Sequence, residues 1–375
     1  MMDLFPAADR ICRIPNPLDW TQEKNRLLVE ACREMACFHA QHSKEIGWLY
    51  QREGFDPDTL KEEADLSRLP FIGVTGMKYF LLTSLPHEKA VLKLTSSGTR
   101  GQKTQIWFDE QSLARVQSQL DVLWQQEGMV SDLPTNYLNF IYDPDEAKDL
   151  GIAFSVKNEQ RFAPVKRSFF TVRKNLVGQW QFDKEKTLRV LREYARESSP
   201  VRILGIPSFI FELVLALQSE GPILLPAGSL MLTGGGWKAA EDKSVTREAF
   251  RALVDKYLGI SEDNIRDGYG MAEHSAPYME CRRHRFHIPV YNRILVRDPV
   301  TLAPLPAGKT GLLEFITPFN AMMPNLAILS TDLGYLDPVA CECGANAPTF
   351  TLVGRGGLVK HKGCAITAGE IVKRD

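Results

Sequence analysis

The stretch LVKHKGCAIT, residues 358–367, holds one thiol, Cys364, close behind Lys360, His361 and Lys362. Cationic neighbours favour the thiolate, and a thiolate attacks an activated carbonyl carbon to form a thioester. A buried, inert cysteine is the other reading. An activated acyl group must come from somewhere, and LTSSGTRGQKT, residues 94–104, has a composition suited to handling phosphate. It follows the apolar run AVLKL, and its glycines, hydroxyls, Arg100 and Lys103 suit a chain curled around an anion. The G-x-x-x-x-G-K-[ST] spacing of a P-loop is absent, and a plain polar hairpin would have the same residues.

Further segments carry the other parts of a nucleotide site. TGGGWK, residues 233–238, sets Gly234, Gly235 and Gly236 where a backbone passes very close to something. DGYGMAEHS, residues 267–275, offers Tyr269 as a flat surface for a base and Glu273 as an oxygen ligand for Mg²⁺. LSTDLGYLDP, residues 329–338, places Asp332 after an apolar strand, where it suits ribose hydroxyls or a turn cap. VGRGG, residues 353–357, follows with Arg355, whose plainer role is a surface salt bridge. Any one of these alone is commonly a structural turn.

A separate constellation has metal-ligand chemistry. MECRRHRFHIP and ACECGANAP hold Cys281, His284, His287, Cys341 and Cys343. Three thiolates at about 2.3 Å and an imidazole at about 2.0 Å make a closed, structural Zn²⁺ set, and Cys281, His287, Cys341 and Cys343 are the four chosen for it, with unliganded reduced thiols as the alternative. No open position would remain, so this ion would tie two loops together and take no part in catalysis.

These loops need a scaffold that gathers them. From Thr21 to about Gly54 apolar residues recur at helical spacing, with Cys32 and Cys37 in or beside the helix. LPFIGVTGMKYFLLTSLP, residues 69–86, suggests a short strand and turn. Residues 185–219 predict two helices around the apolar strand that ends at Gly205, with Pro207 starting the second. Strand, glycine loop and helix alternate again up to DGYG, which argues for an α/β architecture with functional loops at strand ends. Short β-rich segments follow from about residue 288.

Composition narrows the function. Basic and acidic side chains number 45 and 46, so no overall charge draws the chain to nucleic acid or an anionic membrane. Nowhere does an uncharged run reach the roughly 18 residues that span a bilayer, and the N-terminus lacks a signal-peptide pattern. Seven scattered cysteines do not form a disulfide framework; a reducing, cytoplasmic setting is expected.

Taken in order, the hydroxyl loop, the glycine loop, Tyr-Gly-Met-x-Glu, Thr-Asp and Gly-Arg resemble the adenylate-forming superfamily of acyl-CoA ligases, amino-acid-activating domains and firefly-type luciferases. TSSGTRG, GIPSFIFEL, TGGGWK and KGCAIT narrow the resemblance to the acyl-protein synthetase (LuxE) family, from about residue 60 to the end. The resemblance implies an ATP-dependent enzyme that makes acyl-AMP from a fatty or other apolar carboxylic acid. The acyl group would then pass to Cys364 and on to a partner reductase or carrier protein. It assigns Thr95, Ser96, Ser97, Gly98 and Thr99 to the ATP phosphates and Glu273 to Mg²⁺. Gly234, Gly235, Gly236, Tyr269 and Gly270 go to the adenine and acyl-adenylate, Asp332 to the ribose and Arg355 to the hinge. An apolar channel for the acid is expected near Pro207, Phe209, Phe211 and Trp237, although a helix packed into the core has the same pattern.

Phenylacetate-CoA ligase-like members of the superfamily resemble the chain around the cysteine and histidine set as well. The implied architecture is an adenylate-forming large domain over 1–354, β-rich over 288–354, with hinge and short tail over 355–375. That tail stands where most of the superfamily have a full C-terminal domain with a lysine at the adenylate, and Lys360 or Lys362 would substitute for it. Two other readings are an acyl- or aryl-CoA, or carrier-protein, ligase in which Cys364 accepts nothing, and a non-catalytic nucleotide-binding subunit.

Overall fold

A computed structural model describes residues 4–95, 104–147, 158, 160–175, 177–236 and 245–355. Two compact units emerge. Among the described residues, the first holds those up to 95 together with 104–128 and 270–355, and the second holds 129–236 and 245–269.

The second unit is the α/β body that the alternation predicted. Its strands lie in the order Ile265–Tyr269, Leu230–Gly234, Val201–Gly205, Thr135–Tyr142, Val165–Lys174 and Trp180–Phe182. The first five run parallel, and the last is an antiparallel edge. Every residue of Thr135–Tyr142 and of Val201–Gly205 is buried, as central strands covered on both faces must be. The helices Lys184–Ala195, Pro207–Glu220 and Arg247–Leu258 follow their strands. The first and third of these are capped by Asp183 and Thr246, whose side chains accept from the first-turn backbone; Pro207 opens the second. Gly205 is required where it stands. Its φ is +130°, and a Cβ there would lie 2.4 Å from the Phe140 carbonyl oxygen of the adjacent strand.

The first unit is built on an antiparallel sheet in the order Phe286–His287, Thr349–Arg355, Ala327–Leu336, Gly311–Ile316, Arg293–Arg297, with Ile72–Gly73 added parallel to Ala327–Leu336. Its core joins Ile316, Ile328, Phe319 and Met322 to the apolar stripe Leu27, Leu28, Ala31, Cys32, Met35 of the helix Gln22–His42. The helical pattern from Thr21 to Gly54 is two helices, because Ser43 takes an extended backbone and the next helix starts at Lys44. Residues 74–79 form a short helix after the two-residue strand. Arg293 ties the N-terminal region to the sheet: its guanidinium lies 3.7 Å from the Trp20 ring and 2.7 Å from both Glu63 and Asn25. No helix among the described residues is long and apolar enough to cross a membrane.

Candidate functional site

In the second unit, parallel strands with matched register bring their C-terminal ends side by side. Gly205 pairs with Thr233, and Gly234 with Gly268. The loop openings at Ile206, Gly235 and Tyr269 therefore share one edge of the sheet, the position where open α/β sheets bind ligands. Gly235 and Gly236 have φ of +87° and +81°, a conformation that other residues adopt only with strain. Tyr269 is half-buried at the end of its strand. On the same strand Asp267, which no local pattern singles out, accepts from the Thr233 hydroxyl at 2.9 Å and lies 3.5 Å from Arg247.

Phe209 and Phe211 are buried in this unit's own core, packed on Phe182 at 5.1 Å and on Phe250 at 6.4 Å between ring centres. Pro207 is buried at the first turn of the same helix. Lining a channel would therefore require these rings to part from their neighbours. Trp237 lies outside the described residues.

In the first unit, Leu92–Thr95 and Gln105–Phe108 form an antiparallel pair, with Thr95 opposite Gln105. Thr95 is thus held at the entrance of the hydroxyl loop, while Ser96, Ser97, Gly98 and Thr99 lie outside the described residues. Glu273 is buried, and its Oε1 accepts from the Thr104 hydroxyl at 2.7 Å. Asn325 donates to the Glu273 carbonyl at 2.8 Å. Next along the chain, His274 is fully buried, hydrogen-bonded to the Tyr278 hydroxyl at 3.0 Å and packed on Phe315. Burial drives this imidazole down to about 3, so it is neutral and serves as an anchor. Gly270 is exposed. Asp332 stands opposite Arg355 in the antiparallel register, its N–H donating to Ser330 Oγ at 3.1 Å. Cys364, Lys360 and Lys362 lie outside the described residues.

The same unit gathers Cys281, His287, Cys341 and Cys343, with ligand atoms within 4.8 Å of one another. The Sγ atoms of Cys281 and Cys341 are 3.6 Å apart. A disulfide needs about 2.0 Å, whereas two thiolates on one tetrahedral Zn²⁺ at about 2.3 Å stand about 3.8 Å apart. His287 directs Nδ1 at the Ala347 carbonyl, 2.9 Å away, and Nε2 at Cys343 Sγ, 3.2 Å away. The carbonyl fixes the proton on Nδ1 and leaves the Nε2 lone pair for a metal. The Arg283 N–H points at Cys281 Sγ at 3.4 Å. Burial pushes the Cys281 thiol up to about 12, so a thiolate there requires a cation. The donor set and its spacing fit Zn²⁺. His284 is half-buried with positive φ and faces Glu280.

Two more thiols are chemically quiet. Cys12 and Cys32 are fully buried, and desolvation pushes both up to about 12. Cys37 is half-buried and shifted in the same direction by desolvation.

Solved structures share this architecture. 2-Hydroxyisobutyryl-CoA ligase with its acyl-AMP and CoA, in an open conformation, matches 92% of this chain and 76% of its own at TM-score 0.66 and 15% identity. The same ligase after adenylation, covering 92% and 69%, gives 0.67 at 14% identity. The fold is that of adenylate-forming ligases. Within that class the chain belongs to the acyl-protein synthetase (LuxE) family, whose profile matches residues 7–372. It is 24% identical to the long-chain-fatty-acid–luciferin-component ligase of Aliivibrio fischeri over 98% of this chain and 94% of that one. The Vibrio harveyi ligase of the same name is 23% identical over 96% and 93%. Phenylacetate-coenzyme A ligase of Thermus thermophilus is 26% identical over 79% of this chain and 62% of its own.

Proposed function

We propose that this enzyme activates a fatty or other apolar carboxylic acid with ATP and carries the acyl group on Cys364. A carboxylate oxygen attacks the α-phosphorus, pyrophosphate leaves, and the acyl-AMP is attacked by the Cys364 thiolate with AMP as leaving group. The observation that carries this reading is the family match through residue 372, which includes Cys364. The quiet state of the other thiols supports it: Cys12 and Cys32 are buried, and Cys281, Cys341 and Cys343 cluster with His287. Among the described cysteines that leaves half-buried Cys37 as the rival acceptor. Six cysteines outside any disulfide, among the described residues, suit a reducing cytoplasm.

The roles that accompany it are proposals of the same kind. Thr95 to Thr99 take the phosphates, Gly234 to Gly236, Tyr269 and Gly270 the adenylate, and Asp332 the ribose. Arg355 marks the hinge, and Lys360 or Lys362 meets the adenylate. Glu273 holds Mg²⁺, which when bound offsets phosphate charge. Cys281, His287, Cys341 and Cys343 hold Zn²⁺. The acid's apolar site is assigned to Pro207, Phe209, Phe211 and Trp237, with Phe209 and Phe211 parting from Phe182 and Phe250 to admit it, and a reductase or carrier protein receives the acyl group.

The test is intact-protein mass after incubation with ATP, Mg²⁺ and a panel of carboxylic acids, with and without coenzyme A and with acyl-CoA assayed in parallel, for wild type, Cys364→Ser and Cys37→Ser. An ATP-dependent, hydroxylamine-labile increment lost only in Cys364→Ser is the expected result. An increment that survives in Cys364→Ser, or acyl-CoA formed with no loading of the protein, overturns the assignment. The second outcome is the one that the similarity to phenylacetate-coenzyme A ligase favours.

A further inference from the structure

We infer that Thr104 is a positioning residue for the reaction: its hydroxyl holds the Glu273 carboxylate in the orientation that binds the nucleotide-associated divalent cation. This rests on the proposed role of Glu273. Both ends of the glutamate are pinned within the first unit. Asn325 fixes its backbone carbonyl at 2.8 Å, and Thr104 donates to Oε1 at 2.7 Å. Thr104 and Asn325 are 0% and 1% exposed, and Glu273 is 8% exposed. A carboxylate buried to that degree is costly without a partner, and among the described residues Thr104 is the side-chain donor it has.

One hydroxyl uses one lone pair of one oxygen. The remaining lone pairs stay available to a hard cation, which takes carboxylate oxygens. An arginine or lysine in the place of Thr104 would have neutralised the charge that the cation needs. The neutral donor orients without competing, the task that hydrogen-bond partners perform for metal-ligating carboxylates elsewhere.

Placement adds a second argument. Thr104 directly precedes the strand Gln105–Phe108, whose Gln105 is paired with Thr95 at the other end of the hydroxyl loop. The residue that closes the proposed phosphate loop is thus the residue that holds the proposed metal ligand. One hydrogen bond links two segments that are 169 residues apart in the chain. In sequence Thr104 is one more hydroxyl at the end of LTSSGTRGQKT, with nothing local to mark it as the partner of Glu273.

The test compares Thr104→Val, which keeps the shape and removes the donor, with Thr104→Ser, which keeps the donor, and with Glu273→Gln. Mn²⁺ serves as the probe, titrated into protein with a non-hydrolysable ATP analogue and followed by electron paramagnetic resonance. Acid-dependent pyrophosphate exchange is measured against Mg²⁺ concentration in parallel. Thr104→Val should weaken ternary Mn²⁺ binding and raise the Mg²⁺ requirement by about 10- to 100-fold, with Thr104→Ser within a few-fold of wild type. Unchanged Mn²⁺ affinity in a folded Thr104→Val, with Glu273→Gln strongly impaired, overturns the role of Thr104 alone. Unchanged affinity in Glu273→Gln overturns the metal-ligand reading beneath it. If Thr104→Ser is as impaired as Thr104→Val, the residue acts through packing and the inference fails.

Discussion

Loss of the four-residue cysteine and histidine cluster should be visible as a loss of stability in one unit. Cys281 and Cys341 are 60 residues apart in sequence, and their sulfurs lie 3.6 Å apart. A metal shared by them closes that loop covalently. In the chain-entropy description of cross-links, a loop of about 60 residues gives about 4 kcal/mol at 25 °C. For a unit of this size, 1 kcal/mol moves Tm by about 2–4 °C, so removing the metal should lower Tm by about 8–16 °C. The assay is metal content by mass spectrometry, with calorimetry before and after chelation under reducing conditions, alongside Cys341→Ala and His287→Ala. One zinc per chain, X-ray absorption showing three sulfurs and one nitrogen, and a restored Tm on adding zinc are expected. Metal-free protein as purified, with Cys341→Ala melting at the wild-type temperature, would refute the reasoning, since the cluster would then be only reduced thiols.

Two further outcomes concern the scaffold. Gly205→Ala should cost more than about 4 kcal/mol, or prevent folding, because its Cβ meets Phe140 O at 2.4 Å and its φ is +130°. Gly221→Ala has positive φ but open space around it, so urea melts should show it losing only about 1–2 kcal/mol; equal losses for the two would remove the clash argument. Glu314 is buried beside Arg297, and burial pushes its carboxyl up to about 7 although Arg297 pulls it down. The folded state therefore holds this proton more tightly than the unfolded one. Its contribution to stability is complete below about 4.5 and is lost as pH rises through about 7. Glu314→Gln should flatten that part of the stability profile in urea melts at pH 5.5 and pH 8, and an unchanged slope would count against it.

Much of the chemistry was legible in the chain because each part depends on residue type and local order. The run of glycines at 234–236, the aromatic and carboxylate of DGYGMAE, and the cysteine and histidine spacing are local patterns. So is the alternation of apolar runs with glycine loops that predicts parallel strands. Residue types name three cysteines and two histidines as metal-ligand candidates, and the structure sets His287 with Cys281, Cys341 and Cys343 while His284 faces Glu280.

What tertiary structure alone decided is which of these parts are neighbours and what holds them. The register that sets Gly205 beside Thr233 and Gly234 beside Gly268 comes from strands that meet only after the chain has crossed the sheet. The Thr104 to Glu273 bond spans 169 residues, and no local pattern marks a threonine as a donor for a distant carboxylate. The same limit applies to Phe209 and Phe211: an apolar helix face looks alike in sequence whether it meets a ligand or a core, and Phe182 and Phe250 now stand against it. Sequence determines which atoms are available for chemistry and which backbone conformations are cheap. Distance, burial and the identity of a buried group's partner arise from packing between remote segments, and they decide the charge state and orientation in which those atoms act.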